Sequence, residues 1–132
     1  MKFSSLFPRR DIVIELAEKG KEAEAIMLAW SIVEMNLDSA ILREHRMSTL
    51  NPDYEKVLVG RIGDKIREQR KLGYLTDAEA EKLFTFKDKR DKLFHDGGLY
   101  FPALPQSERD MFVQTAIDAK DTSHLLFDKA FA

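Results

Sequence analysis

The stretch KEAEAIMLAWSIVEMNLDSAILREHR, Lys21 to Arg46, decides the fold. Ile26, Trp30, Val33, Leu37 and Ile41 recur every three or four residues, which gathers them on one helical face. The first half is apolar nearly all round, as a central or interface helix would be. Within it, Ala25 to Met35 holds nine apolar residues in eleven, a run too short to span a bilayer. Trp30, at core spacing, reads as packing rather than as a base-stacking platform. Glu34 breaks the apolar run, so it belongs either to a polar contact between helices, the favoured reading, or near a site.

The segments on either side are helical too. A short helix near Asp11–Lys19 carries Ile12, Ile14 and Leu16 and stops at Gly20. A third is expected from Asn51-Pro52, a cap followed by a proline at the first helical position, to Leu72, with Gly73 closing it. Gly60 and Gly63 fall inside that span at a cost of about 1 kcal/mol each against alanine, which close approach of another helix, the favoured reading, or of a ligand would offset. The fourth opens with the capping box Thr76-Asp77-Ala78-Glu79 and ends at Asp96-Gly97-Gly98. After a loop with Pro102 and Pro105, the fifth is expected from Ser107, with Asp110 as a weaker box partner. No segment alternates with period two for long enough to make a strand. The expectation is a single all-α domain over residues 1–132, with its core at about 10–130, built as an up-and-down bundle of four to five helices.

Composition bounds the function. At 132 residues, 44% hydrophobic and 33% charged, the chain can bury one modest core. The absence of cysteine excludes disulfide scaffolds, thiolate metal sites and cysteine nucleophiles. No leader pattern opens the sequence, and a cytoplasmic protein is expected. The net charge of -2 is unevenly spread: Asp11–Glu44 has eight acidic and three basic residues, and Lys56–Lys92 has eleven basic and seven acidic. Such asymmetry suits helix–helix ion pairs first and a nucleic-acid face second.

Several chemistries fail on spacing. Gly97-Gly98 is followed by no lysine and no helix start, so there is no phosphate loop. None of His45, His95 and His124 has a glutamate three residues before it, as a bundle di-iron site requires. Glu15 and Glu18 lack a second acidic pair at matching spacing and read as a solvated face. The helices are too long for a helix-turn-helix reader. No metal and no cofactor is expected. His45 and His124 read as surface residues, and Tyr100 and Phe101 either plug the bundle end, the favoured reading, or flank the site.

One stretch carries chemistry: Lys87-Asp88-Lys89-Arg90-Asp91-Lys92-Leu93-Phe94-His95-Asp96-Gly97-Gly98. Its Arg90-Asp91-x-x-x-His95 pattern, at the end of a capped helix that follows the Leu72-Gly73-Tyr74-Leu75 turn, resembles the signature of the HEPN superfamily of all-helical domains. The resemblance extends over about residues 21 to 128, and the 72–98 segment is its specific part. It implies a metal-independent endoribonuclease whose site forms across a homodimer, toxin-like or defence-associated, with an antitoxin or nucleotidyltransferase as a protein partner. Other relatives, among them the mannitol operon repressors, imply a non-catalytic interaction or regulatory module. Asp91 stands where many members have asparagine, and its carboxylate puts negative charge beside a site meant for phosphate.

The residues fit that chemistry on their own terms. Cleaving RNA with its own 2′-hydroxyl needs a base, an acid and cationic help for the phosphorane. Histidine suits the proton transfers because it titrates near neutral pH. Arginine suits the phosphorane because its planar fork donates to two oxygens. Asp91 and His95 are four apart and share a helix face, so the carboxylate can orient the imidazole. A single histidine is not base and acid at once, and a two-fold dimer supplies a second His95. Arg90 and His95, five apart, differ by about 140° around a straight helix. Lys87, Lys89 and Lys92 are candidate phosphate ligands on the same helix, a solvated face being the equal alternative. The helix-end alternative for Arg90, Asp91 and His95 is dipole compensation and surface pairing.

Overall fold

The computed structural model describes residues 11–47, 60–95 and 101–131, with side chains for 11–43, 60–93 and 101–131. Five α-helices occupy them: α1 (Ile12–Glu18), α2 (Glu22–Met47), α3 (Ile62–Lys71), α4 (Asp77–His95) and α5 (Gln106–Ala130), with a 3-10 turn at Phe101–Ala103 before α5. No strand occurs among the described residues, and the protein is an all-α helical bundle.

Local chemistry sets most of the helix ends. The Asp11 carboxylate accepts from the Val13 amide at 2.9 Å, capping α1. Gly20, at φ +79, takes the left-handed turn that ends it, and the Lys21 amide donates back to the Leu16 carbonyl at 2.9 Å. Gly73, at φ +85, closes α3 in the same way, with the Tyr74 amide on the Gln69 carbonyl at 3.0 Å. The α4 capping box forms reciprocally: the Glu79 amide donates to Thr76 Oγ1 at 3.1 Å and the Thr76 amide to Glu79 Oε1 at 2.9 Å.

Two boundaries differ from the sequence reading. The chain is extended at Arg61 and helical only from Ile62, so Gly60 lies in a bend ahead of α3 and costs that helix nothing. The Asn51-Pro52 start lies outside the described residues. Gly63 is buried in the first turn, but the groups nearest to a Cβ placed there are the flexible ends of Arg67 and Lys87, at 3.4 and 3.5 Å. No neighbouring backbone requires the glycine. At the other boundary, α5 begins at Gln106 with Pro105 as its cap and no side-chain cap bond. Ser107 is thus already inside the first turn, and Asp110 accepts from Gln106 Nε2 at 2.7 Å instead.

Helix α2 is the centre of the bundle and packs most extensively on α5. Ala25, Ala29 and Ala40 on α2, and Ala116 and Ala119 on α5, are buried, and their small side chains let the two axes approach. Trp30 of α2, Phe86 of α4, Phe112 of α5 and Phe101 of the 3-10 turn form an edge-to-face chain with centroids 5.5, 6.5 and 5.7 Å apart. Phe101 is buried in this chain; Tyr100 lies outside the described residues.

Acidic groups of the N-terminal half meet cations from elsewhere. Asp38 accepts from Lys65 Nζ at 2.6 Å between α2 and α3, Glu22 stands 3.8 Å from Arg109, and Asp11 pairs with the buried Lys120. Part of the charge asymmetry is therefore consumed inside the fold. By length and composition alone, Glu22–Arg43 of α2 is apolar enough to cross a membrane, with a mean hydropathy of 1.4. This window is wider than the eleven-residue run counted from sequence, and half of it is buried by the other helices, as in a core helix.

Candidate functional site at the end of α4

Ala80, Leu83 and Phe86 point α4 into the core, and Arg90 continues that stripe one turn further on. Its stem therefore follows the apolar face, and the guanidinium lands on the Trp30 ring of α2, 4.3 Å from the centroid. The Arg90 side chain keeps 29% of its surface exposed. Ile26, Met27, Trp30, Ser31 and Arg90 line a hollow of about 120 Å³ there. Arg90 thus leans toward α2, which gives the site a second helix that the motif did not announce.

Asp91 is not a bare carboxylate. Lys87 Nζ lies 2.8 Å from its Oδ2, and Arg90 Nη1 lies 3.5 Å from its Oδ1. Lys87, three-quarters covered, also stands 3.8 Å from Asp88 and passes over Gly63 of α3. The negative charge expected to oppose phosphate is balanced by cations on its own helix.

The three lysines fall on two faces. Lys87 belongs to the Asp91 side, toward α3. Lys89 and Lys92 border an open cleft of about 180 Å³ with Leu93, Leu104, Glu108, Met111 and Phe112. The backbone of His95 closes α4, while its side chain, and with it the expected Asp91–His95 hydrogen bond, lies outside the described residues.

The other candidates resolve as follows. His124 is half-buried rather than on the surface: Nδ1 lies 3.4 Å from Asn36 Nδ2, and the same amide donates to Ser123 Oγ at 2.9 Å. Burial, and then the Lys120 charge, hold its pKa below the ordinary histidine value. The signal missed is that positions 116, 119, 123 and 126 place a helical stripe immediately beside it. Glu34 is exposed and faces solvent. Glu15 pairs with Lys19 at 3.0 Å, and Glu18 is exposed. The side chain of His45 lies outside the described residues. Among the described residues no group of three or more metal-ligating side chains comes together. Trp30 is both buried at 8% exposure and the seat of Arg90; core spacing announced only the first.

No family model matches the chain, and no curated protein or solved structure does either.

Proposed function

We propose that the protein is a HEPN-like, metal-independent endoribonuclease, toxin-like or defence-associated, that acts as a homodimer at the C-terminal end of α4. The observation that carries this reading is the pairing of a held, partly exposed Arg90 with a charge-compensated Asp91, one turn before His95. In the reaction, the 2′-oxygen bonds to phosphorus as the bond to the 5′-oxygen breaks, leaving a 2′,3′-cyclic phosphate and a 5′-hydroxyl. His95 takes the 2′-hydroxyl proton, and the partner subunit's His95 protonates the departing 5′-oxygen. Arg90 donates to the phosphorane oxygens, whose charge grows as the bonds exchange. Asp91 orients His95, and Lys87 keeps that carboxylate from repelling the phosphate. Lys89 and Lys92, on the other face, hold the flanking backbone.

RNA cleavage in excess EDTA, wild type beside His95→Ala, tests this. Cleavage by wild type alone with cyclic phosphate ends supports it; equal cleavage by the variant overturns the mechanism. A second reading, a non-catalytic interaction or regulatory module, is favoured by the solvent face of α2, where Met27, Met35 and Leu42 are 59%, 57% and 44% exposed. It predicts a tight protein complex and no RNA turnover by the folded protein.

A further inference from the structure

We infer that Trp30 is a positioning residue for Arg90: the indole face is the platform that holds the guanidinium as a ready-made phosphate fork. The inference rests on the ribonuclease reading for what the fork binds, and on geometry for how it is held. An unsupported arginine near a helix end samples many rotamers, and ordering it on phosphate binding carries an entropic cost. Here the guanidinium lies 4.3 Å from the indole centroid. Stacking engages the face of the guanidinium and leaves donors in its plane, so one cation can rest on the ring and address phosphate oxygens at its edge.

The platform is itself immobilised. Trp30 is buried, and Phe86 meets it edge-on at 5.5 Å with an interplanar angle of 73°. Phe86 is in turn braced by Phe112 at 6.5 Å. The ring is thus held by α4 and α5 while belonging to α2, and Arg90 takes its position from the bundle core rather than from the last turn of α4. The Asp91 carboxylate, at 3.5 Å, restrains the same guanidinium from the side. This arrangement also bears on the angular mismatch within the motif. Arg90 works from the α2 side of the helix end, and the two functional side chains need not share a face of α4.

The test uses the full chain and a single-stranded 2′-O-methyl RNA of mixed sequence, which lacks the attacking hydroxyl and reports binding alone. Cleavage of unmodified RNA is followed in parallel. Trp30→Phe keeps an aromatic platform, and Trp30→Leu keeps an apolar side chain without one, at the cost of a cavity in the core. Arg90→Lys keeps the charge at a partly exposed position but loses the planar guanidinium over the ring, and it serves if Trp30→Leu does not fold. The expected result is that Trp30→Leu and Arg90→Lys weaken binding by about tenfold and Trp30→Phe by no more than about threefold. Because the sequence contains a single tryptophan, its ring-current shift on the Arg90 side-chain protons reports the stack directly, and it should vanish in Trp30→Leu. A folded Trp30→Leu, or Arg90→Lys in its stead, that binds as wild type does overturns the inference. Wild-type binding without cleavage overturns the nuclease reading and leaves the platform standing. No wild-type binding overturns both.

Discussion

Lys87 Nζ lies 2.8 Å from the Asp91 carboxylate, one helical turn away on α4. Three-quarters of the lysine side chain and two-thirds of the aspartate side chain are covered, so the pair is neither a surface ornament nor a buried charge centre. Its consequence is electrostatic: the acidic residue beside Arg90 is compensated within the fold itself.

Asp91→Asn should therefore separate charge from positioning. Lys87 loses its nearer partner, and on the ribonuclease reading RNA should bind more tightly, with a steeper salt dependence because a local negative charge has gone. Cleavage falls by about tenfold in kcat, without a rise in KM, if the carboxylate orients His95. The fold changes by no more than about 1 kcal/mol, as expected of an ion pair within one helix that keeps a quarter to a third of its side-chain surface in solvent. Binding titrations at several salt concentrations, with kcat measured alongside, check all three.

Lys89 and Lys92 lie on the other face of α4 from Lys87. Neutralising both to glutamine should leave the kcat of bound RNA within about threefold of wild type while weakening affinity. The slope of log affinity against log salt should fall by roughly 0.7 for each phosphate that is no longer neutralised. A kcat that collapses instead would place these lysines at the reacting phosphate.

The His124 pKa is lowered by burial first and by the Lys120 charge second, with Asp121 and Asp128 opposing. Because the folded pKa lies below the unfolded one, the unfolded chain binds more protons in the interval between them. The contribution is present above pH 6.5 and is lost as pH falls through the lowered folded value. Protonation also puts an Nδ1–H against the Asn36 Nδ2 donor. Urea melts between about pH 4 and 7.5 should show stability falling with acid in this range, and His124→Gln should flatten that slope.

Gln69 is fully buried, yet neither its Nε2 nor its Oε1 makes a hydrogen bond. An amide buried without partners costs about 1–3 kcal/mol, so Gln69→Met, which matches the volume, should stabilise the fold by roughly 1 kcal/mol. Thermal and urea melts decide the sign.

Gly63, in the first turn of α3, and Gly73, just past its end, should behave oppositely. Gly73 is left-handed, and Gly73→Ala should destabilise by about 1 kcal/mol. Gly63 has ordinary backbone angles and only flexible neighbours, so Gly63→Ala should be neutral or stabilising by up to about 1 kcal/mol. Melts of the two variants side by side test the contrast.

The helices are legible in the sequence because their signals are local. The Thr76–Glu79 box, the left-handed Gly20 and Gly73, and the spacing of Ile26, Trp30, Val33 and Leu37 act within one or two turns, and each performs as its residue type requires. Gly60 and Ser107 fall elsewhere than the helical pattern of the sequence placed them, because a helix boundary depends on where the chain becomes extended, as at Arg61 and Pro105.

The candidate site divides in the same way. The sequence alone determined the all-helical class and the residue types within one helix end: Arg90, Asp91 and His95, with Lys87 one turn before Asp91. Tertiary structure decided that Arg90 rests on Trp30, that His124 is half-buried against Asn36, and that Lys89 and Lys92 face away from Lys87 toward a cleft with α5. The physical reason is range. Caps, turns and i to i+4 pairs are set by backbone geometry over a few residues, whereas a guanidinium meets an indole from another helix only once burial of the shared core has brought α2 and α4 together.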